Sequence, residues 1–199
     1  MVELRYSHMK KIDAKSLTLK ALVALLKDKT VKELHEFAMK NFGASIGQGA
    51  FRKVWKVDLR NRSVVLKLAN NEDAAWSNGT EIRVFRKCRK LSIISRMYAH
   101  DKTKRWVVSE YVPHSIADET VMAYFNIPKK AWREDIHSFS GEGLFRYFQQ
   151  HHEIQDNPWY KELKELKEKG EVYDLHYANW RMNSENKPIL VDYGCAGDQ

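Results

Sequence analysis

Three polar side chains near the end of the chain, Asp174, Asn179 and Asp192, have the types and spacing to hold a cation or handle a proton. Between Asn179 and Asp192, Trp180-Arg181-Met182 reads as a short strand. Asn183 to Lys187 reads as a turn, and Pro188-Ile189-Leu190-Val191 as a buried second strand. Asn and Ser favour such turns because their side chains bond the local backbone. A hairpin returns its ends to one place. Asn179 and Asp192 are therefore expected side by side, with Asp174 on the preceding loop. A carboxylate beside an amide oxygen is hard, oxygen-rich ligation suited to Mg²⁺. Taken singly, each of these residues serves as readily as a turn former; the combination is what points to chemistry.

A second constellation lies far upstream. Gly47 and Gly49 stand in G-x-G spacing within Ile46 to Val54. The strand Val54-Trp55-Lys56-Val57 follows, then a polar turn, then a second strand, Ser63 to Leu68, that carries Val65 and Lys67. Glycines let backbone N–H groups approach an anion closely. A lysine on the next strand adds a point charge for phosphate. A dinucleotide-binding fingerprint is disfavoured, since a strand follows the glycines where that motif needs a helix. Ala74 to Arg89 has mostly helical spacing, and Glu81 sits there among Ile82, Val84 and Phe85. Glu72 and Glu81 are the two glutamates that follow Lys67 on this stretch.

The elements that position these groups can be read around them. Ala14 to Leu26 is helical. Thr30-Val31-Lys32-Glu33 has the capping-box form at the head of a second helix, which Gly43 would stop. Leu91 to Met97 and Trp106 to Val112 read as strands with a hairpin at 100–103. Pro113 ends the pairing. The spacing predicts helices over Ala117 to Phe125 and Gly143 to Ile154. A further helix opens at Pro158 and ends at Gly170, delivering the chain to the Asp174 loop.

The ordered set Gly47/Gly49, Lys67, Glu81, Asp174, Asn179 and Asp192 resembles the protein-kinase-like superfamily. The pattern D-x-x-x-x-N, hairpin, Asp-Tyr-Gly looks like its catalytic loop and metal-binding segment. The resemblance implies an α+β, two-lobe fold: an antiparallel N-lobe with one key helix, and a reduced, mainly helical C-lobe. It divides the chain into a helical extension (1–43), an N-lobe (44–112) and a C-lobe (113–199). It implies an ATP- and Mg²⁺-dependent phosphotransferase. Asp174 would orient or deprotonate an acceptor hydroxyl, Lys67 fixed by a helix glutamate (Glu81, with Glu72 as the alternative) would position phosphates, and Asn179 and Asp192 would hold Mg²⁺. Ile46, Gly47, Gly49, Val54, Val65, Glu110 and Val112 would surround the nucleotide.

Several positions depart from the family pattern. The third glycine of the loop is Arg52, a change expected to stiffen the loop. The catalytic His-Arg-Asp is Val172-Tyr173-Asp174, and His176 stands where Ser/Thr kinases usually carry lysine. Asp-Leu-His-x-x-Asn is similar to small-molecule and antibiotic kinases and to the early protein kinases of T7-like phages. The sequence ends at Gln199, five residues after Gly194, without an activation segment. A miniature, viral kinase is the expectation, phosphorylating protein Ser/Thr hydroxyls, itself or a small molecule. The alternative is a catalytically silent kinase-like protein that binds a partner. A partner or a second copy would cover apolar surface on the shortened C-lobe.

Composition sets the outer bounds. The 199 residues are 43% hydrophobic and 12% aromatic, a globular mixture. No apolar run approaches the ~20 residues of a membrane span, and the first residues lack a signal peptide's apolar core. Cys88 and Cys195 are isolated, which suggests reduced thiols in a cytoplasmic setting. The net charge of +8 favours acidic partners such as nucleotide phosphates. The basic residues are interspersed with acids, however, and no aromatic-and-basic motif points to nucleic acid.

Overall fold

The computed structural model describes residues 11–115, 118–128, 150, 158–172, 175 and 177–193. The expectations for Asp174, His176, Gly194, Cys195 and the helix Gly143 to Ile154 lie outside these residues. The described chain is α+β. Its centre is a five-stranded antiparallel sheet of β1 (Gly47–Gln48), β2 (Arg52–Asp58), β3 (Ser63–Ala69), β4 (Met97–His100) and β5 (Trp106–Glu110), in the order β1-β2-β3-β5-β4.

Alternation along the strands gives the sheet two different faces. Trp55 and Val57 on β2 and Val64, Leu66 and Leu68 on β3 form one core with Leu22, Leu26 and Leu34. Those leucines come from α1 (Leu19–Leu26) and α2 (Val31–Phe42), which cover that face. The N-terminal helices thus share a core with the sheet. The opposite parity, Arg52, Val54 and Lys56 on β2 with Val65 and Lys67 on β3, belongs to the other face.

The ends of α2 form as the sequence implies. Thr30 Oγ1 accepts from Glu33 N–H at 3.3 Å, and Glu33 Oε2 accepts from Thr30 N–H at 2.8 Å, completing the capping box. Gly43 takes φ +81°, a conformation glycine adopts without strain. Thr30→Ala is expected to lower stability by about 1 kcal/mol. Urea denaturation measures it, and Glu33→Ala should show a comparable loss if the box acts as a pair.

A second core lies beyond the sheet. It joins Val84 and Cys88 of α3 (Ala75–Cys88), Phe125 after α4 (Asp118–Tyr124), and Leu163 and Leu166 of α5 (Pro158–Gly170) to Trp180, Leu190 and Tyr193. A small three-stranded antiparallel sheet, β6-β7-β8, carries Trp180 and Leu190: β6 (His114–Ser115), β7 (Trp180–Met182) and β8 (Pro188–Leu190). Burial pushes the Cys88 thiol up, so this cysteine is an inert packing residue. Among the described residues no helix is long and apolar enough to cross a membrane.

Several boundaries differ from expectation. Leu91 to Met97 is not a strand; β4 begins at Met97 and takes in His100, and the tight turn starts at Asp101. Glu162 on α5 accepts from Ser92 N–H at 2.6 Å and Ile93 N–H at 3.0 Å, which draws this segment out of the sheet. Ile94 bridges instead to Leu190. The end of α5 at Gly170 is as expected, although this glycine does not take the left-handed conformation. A Cβ on Gly170 would meet Cys88 Sγ at 3.3 Å, so its smallness serves the α3–α5 contact. Glu171 takes the left-handed conformation, φ 57°, and its carboxylate pairs with Arg83 and Lys87. Glu72 is not a partner of Lys67; it accepts from Val31 N–H at 3.4 Å, at the start of α2.

Candidate functional site

The other face of the main sheet and the mouth of the β7–β8 hairpin enclose a cleft of about 150 Å³. Ile46, Gly47, Val54 and Val65 line it from the sheet. Glu110, Tyr111 and Val112 line it where the chain leaves β5 for the small sheet. Asn179, Arg181, Val191 and Asp192 line it from the hairpin, and Lys67 reaches it from β3.

The hairpin has the architecture its sequence implies. Asn183 Oδ1 accepts from Glu185 N–H at 3.0 Å and Lys187 N–H at 2.9 Å, and Asn186 takes φ 57°. Asn tolerates that left-handed conformation better than most residues. At the other end Val191 N–H donates to the Asn179 carbonyl at 2.7 Å. Asn179 and Asp192 are therefore held at one mouth. Trp180 anchors this end: it is fully buried, and its Nε1 donates to the Leu175 carbonyl at 3.0 Å. Tyr193, also buried, donates from its hydroxyl to the Ser95 carbonyl at 3.0 Å. Burial pushes the Tyr193 phenol well above its usual range, so it stays neutral.

Four charges meet at the inner end of the cleft. Lys67 Nζ donates to both carboxylate oxygens of Glu81 at 2.8 Å and to the Val191 carbonyl at 2.6 Å. The Glu81 side chain is 0% exposed and that of Lys67 5%. Arg52 completes the group, donating from Nη1 to Glu81 and from Nη2 to Asp192. Burial opposes the charge of Arg52, but Glu81 and Asp192 outweigh that cost and its pKa is raised. Two cations thus face two anions. Only Asp192 is substantially exposed, at 40% of its side chain.

The expected site residues mostly converge. Ile46, Gly47, Val54, Val65, Lys67, Glu110, Val112, Asn179 and Asp192 line one cleft, and Glu81 stands behind Lys67. Gly49 does not line it. Gly49 is part of the β1–β2 turn, its N–H bonded to the Arg52 carbonyl at 2.9 Å and its own carbonyl to Asn70 Nδ2 at 3.1 Å. Arg52 and Arg181 escaped the sequence reading as site residues. The signal for Arg52 was present: it shares strand parity with Val54 and stands where the resemblance calls for a glycine. Arg181 donates from Nη1 to the Ala178 carbonyl at 2.8 Å and to the Trp180 carbonyl at 2.7 Å, which fixes its guanidinium at the cleft.

No group of three or more His, Cys, Asp or Glu side chains able to hold a metal occurs among the described residues. The candidate donors at the cleft are the Asp192 carboxylate, which Arg52 engages, and the Asn179 amide oxygen. That small, hard set fits Mg²⁺, which keeps several waters and takes one or two carboxylates plus substrate phosphates.

A scan against protein-family models gives no match for this chain, and a search of curated proteins finds no significant relative.

Proposed function

We propose that the chain is an ATP- and Mg²⁺-dependent phosphotransferase built on a protein-kinase-like two-lobe plan. The main sheet would be the N-lobe and the helical part with the small sheet the reduced C-lobe. The observation that carries the reading is the buried Lys67–Glu81 pair, held at the cleft opposite Asn179 and Asp192. A lysine buried this deeply is aimed by its carboxylate, and phosphates entering the cleft would meet a pre-oriented charge. Ile46, Val54, Val65 and Val112 supply the apolar walls that a purine ring requires. Magnesium held by Asn179 and Asp192 would neutralise phosphate charge. Asp174, five positions before Asn179 in the sequence, would accept the acceptor's hydroxyl proton. The acceptor class that fits the resemblance is a protein Ser/Thr hydroxyl, the protein itself or a small alcohol.

A second reading has one observation in its favour. Arg52 already engages Asp192, and the cleft of about 150 Å³ is smaller than the usual ligand pocket of roughly 300–1,000 Å³. A catalytically silent scaffold that binds a partner would tolerate such a closed site. Thermal denaturation with ATP, with and without Mg²⁺, tests the shared premise. ATP is expected to raise the Tm, and Mg²⁺ to raise it further. A ligand at 100 times its Kd adds about 2.7 kcal/mol of apparent stability. No shift at saturating nucleotide in either condition rules out the phosphotransferase.

A further inference from the structure

Arg52 is the member of the charge cluster for which the proposed chemistry has no role. Its side chain is 6% exposed, so its charge must be met by protein groups. Glu81 does not depend on Arg52 for a partner, because both of its oxygens already accept from Lys67. Asp192 differs: it comes from across the cleft and is 40% exposed, so a cation arriving from solvent can reach it. A guanidinium and a hard divalent cation both seek the same carboxylate lone pairs, and their like charges repel at contact distance. The loop carrying Arg52 is pinned. Asn70 N–H donates to the Phe51 carbonyl at 2.8 Å, and Asn70 Nδ2 donates to the Gly49 and Ala50 carbonyls at 3.1 and 2.7 Å. An exchange of partners at Asp192 is therefore a side-chain rotation of Arg52, with the backbone held.

We propose that Arg52 and a divalent cation are alternative partners of Asp192. In this structure Arg52 neutralises the carboxylate. When a divalent cation takes Asp192, the guanidinium keeps Glu81 and turns its second amino group toward the phosphates of the incoming nucleotide. The last step rests on the phosphotransferase reading, whereas the competition at Asp192 does not. Without Arg52 the cluster would carry one positive and two negative charges, a poor setting for a polyanion and a better one for a metal.

The test is Mn²⁺ titration in the absence of nucleotide, with bound and free ion separated by electron paramagnetic resonance. It is run on the wild type, Arg52→Gln and Arg52→Met. An adjacent arginine lowers a carboxylate's affinity for a proton by about one to three pKa units. Mn²⁺ should accordingly bind at least about tenfold more tightly to both variants, and adding Asp192→Asn should abolish the gain. Equal affinity in all three proteins, or no bound Mn²⁺ in any, overturns the proposal. Arg52→Met keeps an unbranched apolar stem in place of the arginine stem, and circular dichroism selects the variant that folds. Arg52→Lys, whose single ammonium cannot span both carboxylates, should lie between. ATP binding in saturating Mg²⁺ gives the second arm: the Gln and Met variants should bind it at least about tenfold more weakly. If Mn²⁺ tightens but ATP binds none of the proteins, the phosphotransferase reading fails and the competition at Asp192 stands.

Discussion

Glu81→Ala is expected to destabilise the protein by about 3–5 kcal/mol, the usual cost of removing one partner from a buried ionic group. The change leaves Lys67 and Arg52 close together with no carboxylate between them, both nearly inaccessible to water. Lys67→Met should cost less, about 1.5–3 kcal/mol for lost hydrogen bonds to a charged group. There Glu81 keeps Arg52, and the methionine stem fills the space of the lysine stem. Guanidinium chloride denaturation of both variants measures the difference. Combining Glu81→Ala with Lys67→Met should cost less than the sum of the two single changes, since each removes the other's stranded charge. Equal costs for Glu81→Ala and Lys67→Met would mean that Arg52 does not share Glu81.

Asp192→Asn and Asp174→Asn should fail in different ways. Asp192 is assigned to the metal, so losing its charge should remove the Mg²⁺ enhancement of ATP binding and lower turnover with it. ATP binding in EDTA should persist, because Arg52 retains Glu81 as its anchor. Asp174 is assigned to the acceptor hydroxyl. Its replacement should lower turnover by about 10²-fold, as for a lost general base, with ATP affinity nearly unchanged. Isothermal titration and phosphotransfer rates on the same preparations separate the two. If both residues only cap turns, each change costs about 1 kcal/mol of stability and neither alters nucleotide binding.

Local rules carried much of the architecture. The Thr30–Glu33 box, the left-handed Gly43, the Asn183–Lys187 turn and the alternation on β2 and β3 each depend on residues close in sequence. So does the meeting of Asn179 with Asp192, which follows from hairpin geometry alone. The failures came where distant groups decide the outcome. Ile93 and Ile94 look like strand residues, but Glu162, about seventy positions later, takes the amides of Ser92 and Ile93. Gly170 does stop its helix, but the reason for a glycine there was not legible: Cys88 of α3 packs against it. The role of Arg52 was hidden for the same reason. Its partners are 29 and 140 positions away, and no local pattern announces them. Lys67 and Glu81 are separated by only 14 positions, and it was the family resemblance, not the strand and helix periods, that paired them.

The most direct measurement of the central claim is transfer of label from γ-labelled ATP in Mg²⁺, with the wild type and Asp174→Asn run side by side, alone and with a cell extract. The account predicts label on the protein, on an extract protein or on a small metabolite with the wild type. It predicts about 10²-fold slower labelling with Asp174→Asn, although both proteins bind ATP equally. No transfer by the wild type to any acceptor, or transfer that survives Asp174→Asn unaltered, would contradict it.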